Sequence, residues 1–193
     1  MDGARIWEAL AGYQKADPTR TYAQLCANFD SIYVSFYKGI GAMTGSMLFG
    51  TKVFVGQAKI WQRRFGGNLF TQVPYYTHAA LMYRLHGSSF GKNFERAQGI
   101  VSTISSQVTD SRLRFVPPVP ETGMVHVYLK CTVAEAEKAS KSVEAKTGIR
   151  VFAKMRAQIG EECFFEWKFG PSNINIPNEI FVKGWKTFFE ELK

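Results

Sequence analysis

Cysteine and histidine are scarce in this chain, with three of each among its 193 residues. The cysteines lie far apart and form no Cys-x-x-Cys pair: Cys26, Cys131 and Cys163. This odd, wide spacing argues against a disulfide framework and a zinc cluster and favours a reducing compartment, so we expect a cytoplasmic protein. The histidines are equally isolated, so we expect packed or surface histidines and no metal site: His78, His86 and His126.

Long apolar runs are also missing. No stretch of about eighteen apolar residues occurs, which argues against a membrane-spanning helix. The first five residues lack the basic and apolar segments of a signal peptide, so we expect none. The composition that remains is globular, with 46% hydrophobic residues, and it suffices for one good core or two small ones.

Acidic residues are fewer than basic ones, 16 against 24, and the net charge is +8. Most of the basic excess lies in the first half, where the charges are scattered and only Arg63 and Arg64 are adjacent. A scattered excess favours a solvated surface, or a site for one phosphorylated ligand, over a nucleic-acid-binding stripe. We therefore expect no nucleic-acid partner.

In the first half, an apolar and aromatic run over 31–37 predicts a strand buried on both faces, as in a parallel sheet. A glycine-punctuated loop follows it, and 47–49 predicts a second strand. Thr51 can cap a helix whose apolar face holds Val53, Phe54, Ala58 and Trp61. A further helix is predicted over 69–85, with Pro74 as a kink or break near its middle. Two buried strands without obvious partners suggest part of a larger unit.

Beyond the joint Gly87-Ser-Ser89, strands and helices interleave as in a small α+β unit. The patterns predict helices over 90–108, 133–146 and 177–192, and strands over 113–116, 124–129, 149–155 and 163–169.

Lys38 is the most informative single residue, because it ends the first strand and enters a loop with Gly39, Gly41 and Gly45. Ligands of open α/β sheets bind at the carboxyl ends of strands, and a partly desolvated lysine there can attack a carbonyl to form a Schiff base. The alternative is a lysine that only marks the strand end and points to solvent.

Asp2, Arg5 and Arg63 each allow two interpretations. Asp2 is either a helix N-cap or a carboxylate that keeps a ring nitrogen protonated, next to an Arg5 guanidinium that holds a carboxylate or phenolate oxygen. Arg63, with Arg64, either reaches an anion or lies at a solvated helix end with favourable dipole pairing.

Four motifs occur in order over about ninety residues: Asp2-Gly-Ala-Arg-Ile, Asp30-Ser-Ile-Tyr-Val-Ser-Phe-Tyr-Lys-Gly-Ile-Gly, Gly45-Ser-Met-Leu-Phe-Gly and Ile60-Trp-Gln-Arg-Arg-Phe-Gly-Gly67. Together they resemble the threonine aldolase / aromatic amino acid β-eliminating lyase family, pyridoxal-phosphate enzymes of fold type I. The resemblance implies an α/β fold in which residues 1–88 form the C-terminal part of the cofactor-binding large domain, with an incomplete mixed sheet and helices. Residues 89–193 would form the small α+β C-terminal domain.

The resemblance also implies roles for single residues. Lys38 matches the family lysine that forms the Schiff base with pyridoxal 5'-phosphate, and Asp2 matches the aspartate that pairs with the pyridine nitrogen. Arg5 matches the arginine near the cofactor oxygen and the substrate carboxylate, and Arg63 a basic residue near the cofactor phosphate of its own or a neighbouring subunit. The implied reaction is cleavage of a β-hydroxy amino acid such as threonine to glycine plus an aldehyde, in a homo-oligomer (dimer or tetramer).

Departures from the family pattern favour a subgroup with a different substrate. The family's N-terminal part supplies the phosphate-binding Gly-Thr segment and a stacking aromatic ring, which this chain lacks. Threonine aldolases carry an arginine for the substrate carboxylate where this chain has Glu166, and another where it has Phe70. A second hypothesis is therefore a non-catalytic truncated homologue that acts as an assembly or interaction module.

Overall fold

The structure, a computed structural model, describes residues 1–192, which divide into two compact units, Met1–Gly91 and a second that begins at Lys92. The elements of the first unit are α1 (Ile6–Ala16), α2 (Tyr22–Cys26), β1 (Ser31–Ser35), β2 (Ser46–Gly50), α3 (Lys52–Arg64) and α4 (Val73–His86). Those that follow are α5 (Phe90–Gln107), β3 (Leu113–Val116), β4 (Met124–Leu129), α6 (Val133–Thr147), β5 (Ala157–Ile159), β6 (Glu162–Lys168) and α7 (Asn178–Glu191). No helix among these described residues is long and apolar enough to cross a membrane.

The second unit is an antiparallel sheet with a continuous core. Its strands lie in the order β3-β4-β6-β5, and every neighbouring pair is antiparallel. Apolar side chains of α5, α6 and α7 pack with the buried side chains of β4 and β6 in one cluster. Thr132 begins α6 with a reciprocal capping box to Glu135, and Gly148 ends it in the left-handed conformation.

The first unit contains a two-stranded sheet rather than two buried parallel strands. β1 pairs antiparallel with β2, and only a single parallel bridge, between Asp2 and Tyr33, lies on the other side of β1. The prediction that both strands are buried was wrong for β2, which is exposed throughout, because no element among the described residues covers it. No residue of β1 is exposed, and Ile32, Val34 and Ser35 are buried.

Three further local predictions were wrong. Pro74 does not kink a helix but lies in the first turn of α4, where its missing N–H costs no hydrogen bond. α7 begins at Asn178, one residue later than predicted, with Pro177 at its N-cap. The segment 149–155 is not a strand, although Val151 and Phe152 are buried; the edge of β6 is taken instead by the short β5. Burial, not pairing, explains that apolar run.

Thr51 begins α3 as predicted, by accepting a hydrogen bond from the Phe54 amide. The apolar face predicted for this helix is not covered, because no residue of α3 is buried. α4 likewise contains no buried residue.

Candidate functional site

The segment around Asp2 lies along β1 as a short parallel neighbour. Tyr33 N–H donates to the Met1 carbonyl at 3.0 Å, and Gly3 N–H donates to the Tyr33 carbonyl at 2.7 Å. A Cβ at position 3 would lie 2.7 Å from the Tyr33 carbonyl oxygen, so this close approach requires glycine. The Asp2 carboxylate accepts a hydrogen bond from the Ala4 amide at 3.0 Å. Asp2 therefore does not cap α1, whose N-cap is Arg5.

The start of α1 is bonded to the end of β1. The Ser35 hydroxyl, fully buried, donates to the Ala4 carbonyl at 2.7 Å. Trp7 Nε1 donates to the Ser35 carbonyl at 3.1 Å. These two hydrogen bonds fix the point at which β1 ends and the loop carrying Lys38 begins.

We define the Lys38 loop as residues 36–45. Its ends are joined by the Phe36 amide, which donates to the Gly45 carbonyl at 2.9 Å, and its interior by the Gly41 amide, which donates to the Lys38 carbonyl at 3.0 Å. Gly41 and Gly45 have φ of 78° and 102°, which explains two of the three loop glycines. Ile40 is fully buried, whereas Lys38 is exposed. The loop is thus anchored by apolar burial and presents the lysine at its surface.

Arg5 is connected to the Lys38 loop through Glu8. Arg5 Nη1 donates to Glu8 Oε1 at 3.0 Å, and the Glu8 carboxylate lies against Gly39, where an added Cβ would be 2.4 Å from Oε1. This charge-assisted hydrogen bond orients the guanidinium of Arg5 relative to the Lys38 loop.

Two tyrosines lie close to the lysine in the sequence: Tyr33 is on β1, and Tyr37 directly precedes Lys38. The Tyr33 and Tyr37 hydroxyls lie 3.0 Å apart, and this hydrogen bond, with some burial, raises the pKa of Tyr33. The Lys38 ammonium lies 5.9 Å from the centre of the Tyr37 ring. At this distance the ring stabilises the cation modestly.

Arg63 lies apart from these contacts. It occupies the last turn of α3 with an exposed side chain, and its carbonyl accepts a hydrogen bond from Gly66. Within residues 1–192, the contacts that join Asp2, Arg5 and the Lys38 loop do not include Arg63. Its side chain is exposed at a helix C-terminus, where the helix dipole stabilises a cation even when no ligand is bound.

The donor set of Lys38, Asp2 and Arg5 fits a pyridoxal cofactor in its chemistry. An amine, a carboxylate and a guanidinium suit an aldehyde, a pyridinium nitrogen and an anionic oxygen. The buried Glu8 Oε2, which has no hydrogen-bond partner among the described residues, lies in the same connected group.

Sequence reasoning did not find the residues that hold this group together. Glu8, Ser35 and Trp7 act through long-range contacts that no local pattern reports. Glu8 had one visible signal, since it falls between Ile6 and Leu10 on the buried face of α1 and three residues after Arg5. His78, expected to be packed or at the surface, accepts a hydrogen bond from the Met43 amide at 3.0 Å.

The two residues that we expect to depart from the family pattern lie in different units. Phe70 is in the first unit and is fully exposed. Glu166 is on β6, with one carboxylate oxygen 3.6 Å from Arg156 Nη2 and the other 3.8 Å from Lys168 Nζ.

Comparison with known proteins gives a consistent set of similarities. The family model for beta-eliminating lyases matches residues 1–159. Aldolase vrtJ of Penicillium aethiopicum is 41% identical over 69 residues, which are 36% of this chain and 16% of the aldolase. The low specificity L-threonine aldolase of Saccharomyces cerevisiae is 40% identical over 68 residues, 35% of this chain and 16% of that protein.

Solved structures extend the similarity to the whole chain. A protein of Listeria monocytogenes described as a candidate L-allo-threonine aldolase superposes with a TM-score of 0.85 at 34% identity, over 99% of this chain and 51% of that one. This chain therefore spans about half the length of that relative. Serine palmitoyltransferase of Sphingomonas wittichii superposes with a TM-score of 0.62 at 10% identity, a similarity of fold alone. Both superpositions confirm the predicted α/β fold of type I.

Proposed function

The chain belongs to the beta-eliminating lyase family, and from that membership we propose that it carries the C-terminal part of a pyridoxal-phosphate-dependent lyase. The proposed reaction cleaves the Cα–Cβ bond of a β-hydroxy amino acid such as threonine, giving glycine and an aldehyde. The observation that carries this proposal is the anchored loop that presents Lys38 while Glu8 connects that loop to Arg5. Residues 1–88 are proposed as part of the cofactor-binding domain and 89–193 as the small domain.

Three residues have distinct proposed tasks. The Lys38 amine would hold the cofactor covalently through its aldehyde carbon, with loss of water, which requires the neutral amine. The Asp2 carboxylate would accept a hydrogen bond from the ring nitrogen and keep it protonated. The Arg5 guanidinium, which is bonded to Glu8, would bind an anionic oxygen of the cofactor or the substrate carboxylate. When bound, the cofactor supplies an electron sink for the pair released at Cα.

Arg63 is proposed to contact the cofactor phosphate of its own or a neighbouring subunit. Its exposed position at the end of α3 agrees with a contact to another chain. A homodimer or homotetramer and a cytoplasmic location remain predictions.

The activity test compares two lysines of the first unit. Purified chain is mixed with pyridoxal phosphate and threonine or another β-hydroxy amino acid, and released aldehyde is measured by its enzymatic reduction. Lys38→Ala should reduce aldehyde release to that of free cofactor, because the residue that binds it covalently is gone. Lys52→Ala, a matched change in the first residue of α3, should leave the rate unchanged.

Equal rates for the Lys38→Ala variant and the unchanged chain would contradict the role of Lys38. No release from the unchanged chain would favour the second candidate function, a non-catalytic assembly module.

The observation that favours a module is the uncovered apolar surface of the first unit. No residue of α3 or α4 is buried, and a groove of about 920 Å³ lined by side chains such as Met47, Leu69, Tyr75 and Tyr83 lies in this unit. Such a surface fits a partner that carries the remaining half of the family's length. Light scattering of this chain mixed with the full-length Listeria relative tests it: a complex without aldehyde release above that of the relative alone supports a module. Two separate species contradict it.

A further inference from the structure

Glu8 is a buried carboxylate at a place where burial needs an explanation. It is 7% exposed and lies on the first turn of α1, in the unit with the smaller core. Oε1 accepts from Arg5, but Oε2 is buried and has no hydrogen-bond partner among the described residues. Burying a carboxylate oxygen without a hydrogen-bond partner is unfavourable, so other contacts of Glu8 must offset the cost, and these contacts point to its role.

The group that Glu8 contacts is the Lys38 loop. A Cβ at Gly39 would lie 2.4 Å from Oε1 and 2.6 Å from both Cδ and Oε2 of Glu8. Gly39 is not among the glycines with positive φ, unlike Gly41 and Gly45, so its backbone does not require glycine. Glycine is required at position 39 by lack of space, because the Glu8 carboxylate lies directly against the backbone of this residue.

The same carboxylate therefore touches two parts of the candidate site. One side holds the guanidinium of Arg5 at 3.0 Å, and the face of the group rests on Gly39. The loop is further fixed by the buried Ile40 on one side of this contact and by the Phe36–Gly45 hydrogen bond at its ends.

We propose that Glu8 is a positioning residue for Lys38. Its carboxylate seats the Gly39 end of the loop against α1 and orients Arg5, so that amine and guanidinium are presented together. The inference rests on the proposed function for the role of Lys38, whereas the seating of the loop can be measured without cofactor.

A double-mutant cycle between the two contacting residues tests the seating. Hydrogen exchange is measured in the cofactor-free full chain for Gly39→Ala, Glu8→Ala and the double variant. Gly39→Ala should accelerate exchange at the Gly41 and Ala42 amides by about tenfold, because the new methyl group displaces the loop. In the double variant, the exchange rate should return close to that of Glu8→Ala alone, because the Glu8 carboxylate that clashes with the new methyl group at position 39 is gone.

The matched control is Gly56→Ala, a glycine of the same unit whose Cβ would meet nothing within 4 Å. It should leave exchange in the loop unchanged. Two outcomes would contradict the proposal that Glu8 seats the loop. In one, the double variant exchanges as fast as Gly39→Ala; in the other, Gly39→Ala exchanges no faster than the unchanged chain.

A second readout follows Lys38 itself. The chain is incubated with pyridoxal phosphate and reduced with borohydride, and the labelled lysines are mapped by peptide mass. Glu8→Ala should lower labelling at Lys38 by about tenfold relative to Lys52, whereas Glu8→Gln, which keeps the shape and an acceptor for Arg5, should restore most of it. Thermal unfolding is recorded for each variant to separate this loss from general destabilisation.

The outcomes separate the two proposals. Unchanged labelling of Lys38 in Glu8→Ala overturns the positioning role while the proposed function stands. Absence of Lys38 labelling in the unchanged chain counts against the proposed function in this chain, and the exchange cycle then decides the seating by Glu8 on its own.

Discussion

The second unit closes around its own core, whereas the first leaves most of its apolar side chains uncovered. In the second unit one cluster runs from α5 through β4 and β6 to α7, and Trp185 and Phe188 at its centre are fully buried. In the first unit the buried cluster comprises only Ile6, Ile32 and Val34 among the described residues. All but three of the exposed large apolar side chains lie in that unit; the exceptions are Val119, Ile159 and Ile180.

This difference shows how the candidate site is held. Its residues lie in the unit with the smaller core, so their positions depend on the burial of Ile40 and on a few specific contacts rather than on a large core. The Ser35–Ala4 and Trp7–Ser35 hydrogen bonds and the Glu8–Gly39 contact are the connections concerned. Removing one of them should disturb the site more than it disturbs the rest of the chain.

The largest expected effect separates a core phenylalanine from an exposed one. Phe188→Ala should cost about 3–5 kcal/mol of unfolding free energy, because Phe188 is 0% exposed and its loss leaves a cavity. Phe70→Ala should change the unfolding free energy by less than about 0.5 kcal/mol, because Phe70 is fully exposed. Urea unfolding followed by circular dichroism measures both. Similar losses would mean that the two units do not differ as described.

A smaller effect is expected at the two capping boxes, one in each unit. Thr132 caps α6, a helix of 15 residues with four buried positions, and Thr132→Ala should cost about 1 kcal/mol. Thr21 caps α2, a helix of five residues with none buried, and Thr21→Ala should cost only a few tenths of a kcal/mol, since little structure depends on it. The same urea experiment reports both, and a larger loss for Thr21→Ala would reverse the comparison.

The smallest effect concerns the acid dependence of the second unit. Hydrogen bonds from the Arg112 side chain hold the pKa of Asp110 below the ordinary value of an aspartate. The folded state therefore favours the ionised form, so the contribution is complete above pH of about 4 and is lost as pH falls through the lower folded-state pKa. Asp110→Asn should remove about 0.5 kcal/mol at neutral pH, because the pair is partly exposed.

The control for this change is Asp17→Asn in the first unit, where hydrogen bonds from Thr19 lower the pKa of a carboxyl that is more exposed than that of Asp110. Its effect on thermal unfolding should be the smaller of the two. If Asp17→Asn but not Asp110→Asn made thermal unfolding less sensitive to acid, the assignment of this pH dependence to Asp110 would be contradicted.

Local signals predicted much of the fold. Helical periodicity and the Thr51 cap gave α3 close to its observed bounds, and alternation gave β4 and β6 within a residue or two. The strand at 149–155 was wrong because an apolar run can be buried without pairing. The predicted burial of β2 was wrong because an apolar run is covered only where another element packs on it, which the run itself does not show.

The candidate site was predictable only in part. The position of Lys38 after an apolar strand was visible from the sequence, since strand ends and glycine loops leave local signals. The contact between Glu8 and Gly39 joins residues far apart in the chain, and nothing near either residue indicates it. Long-range contacts of this kind require the fold.

The measurement that tests the central claim most directly is the location of the cofactor adduct on the chain. The unchanged protein is incubated with pyridoxal phosphate, reduced with borohydride, digested and mapped by mass spectrometry. The lyase assignment predicts one dominant adduct at Lys38, with the other exposed lysines labelled weakly. Labelling spread evenly over surface lysines, or none at Lys38, would contradict it.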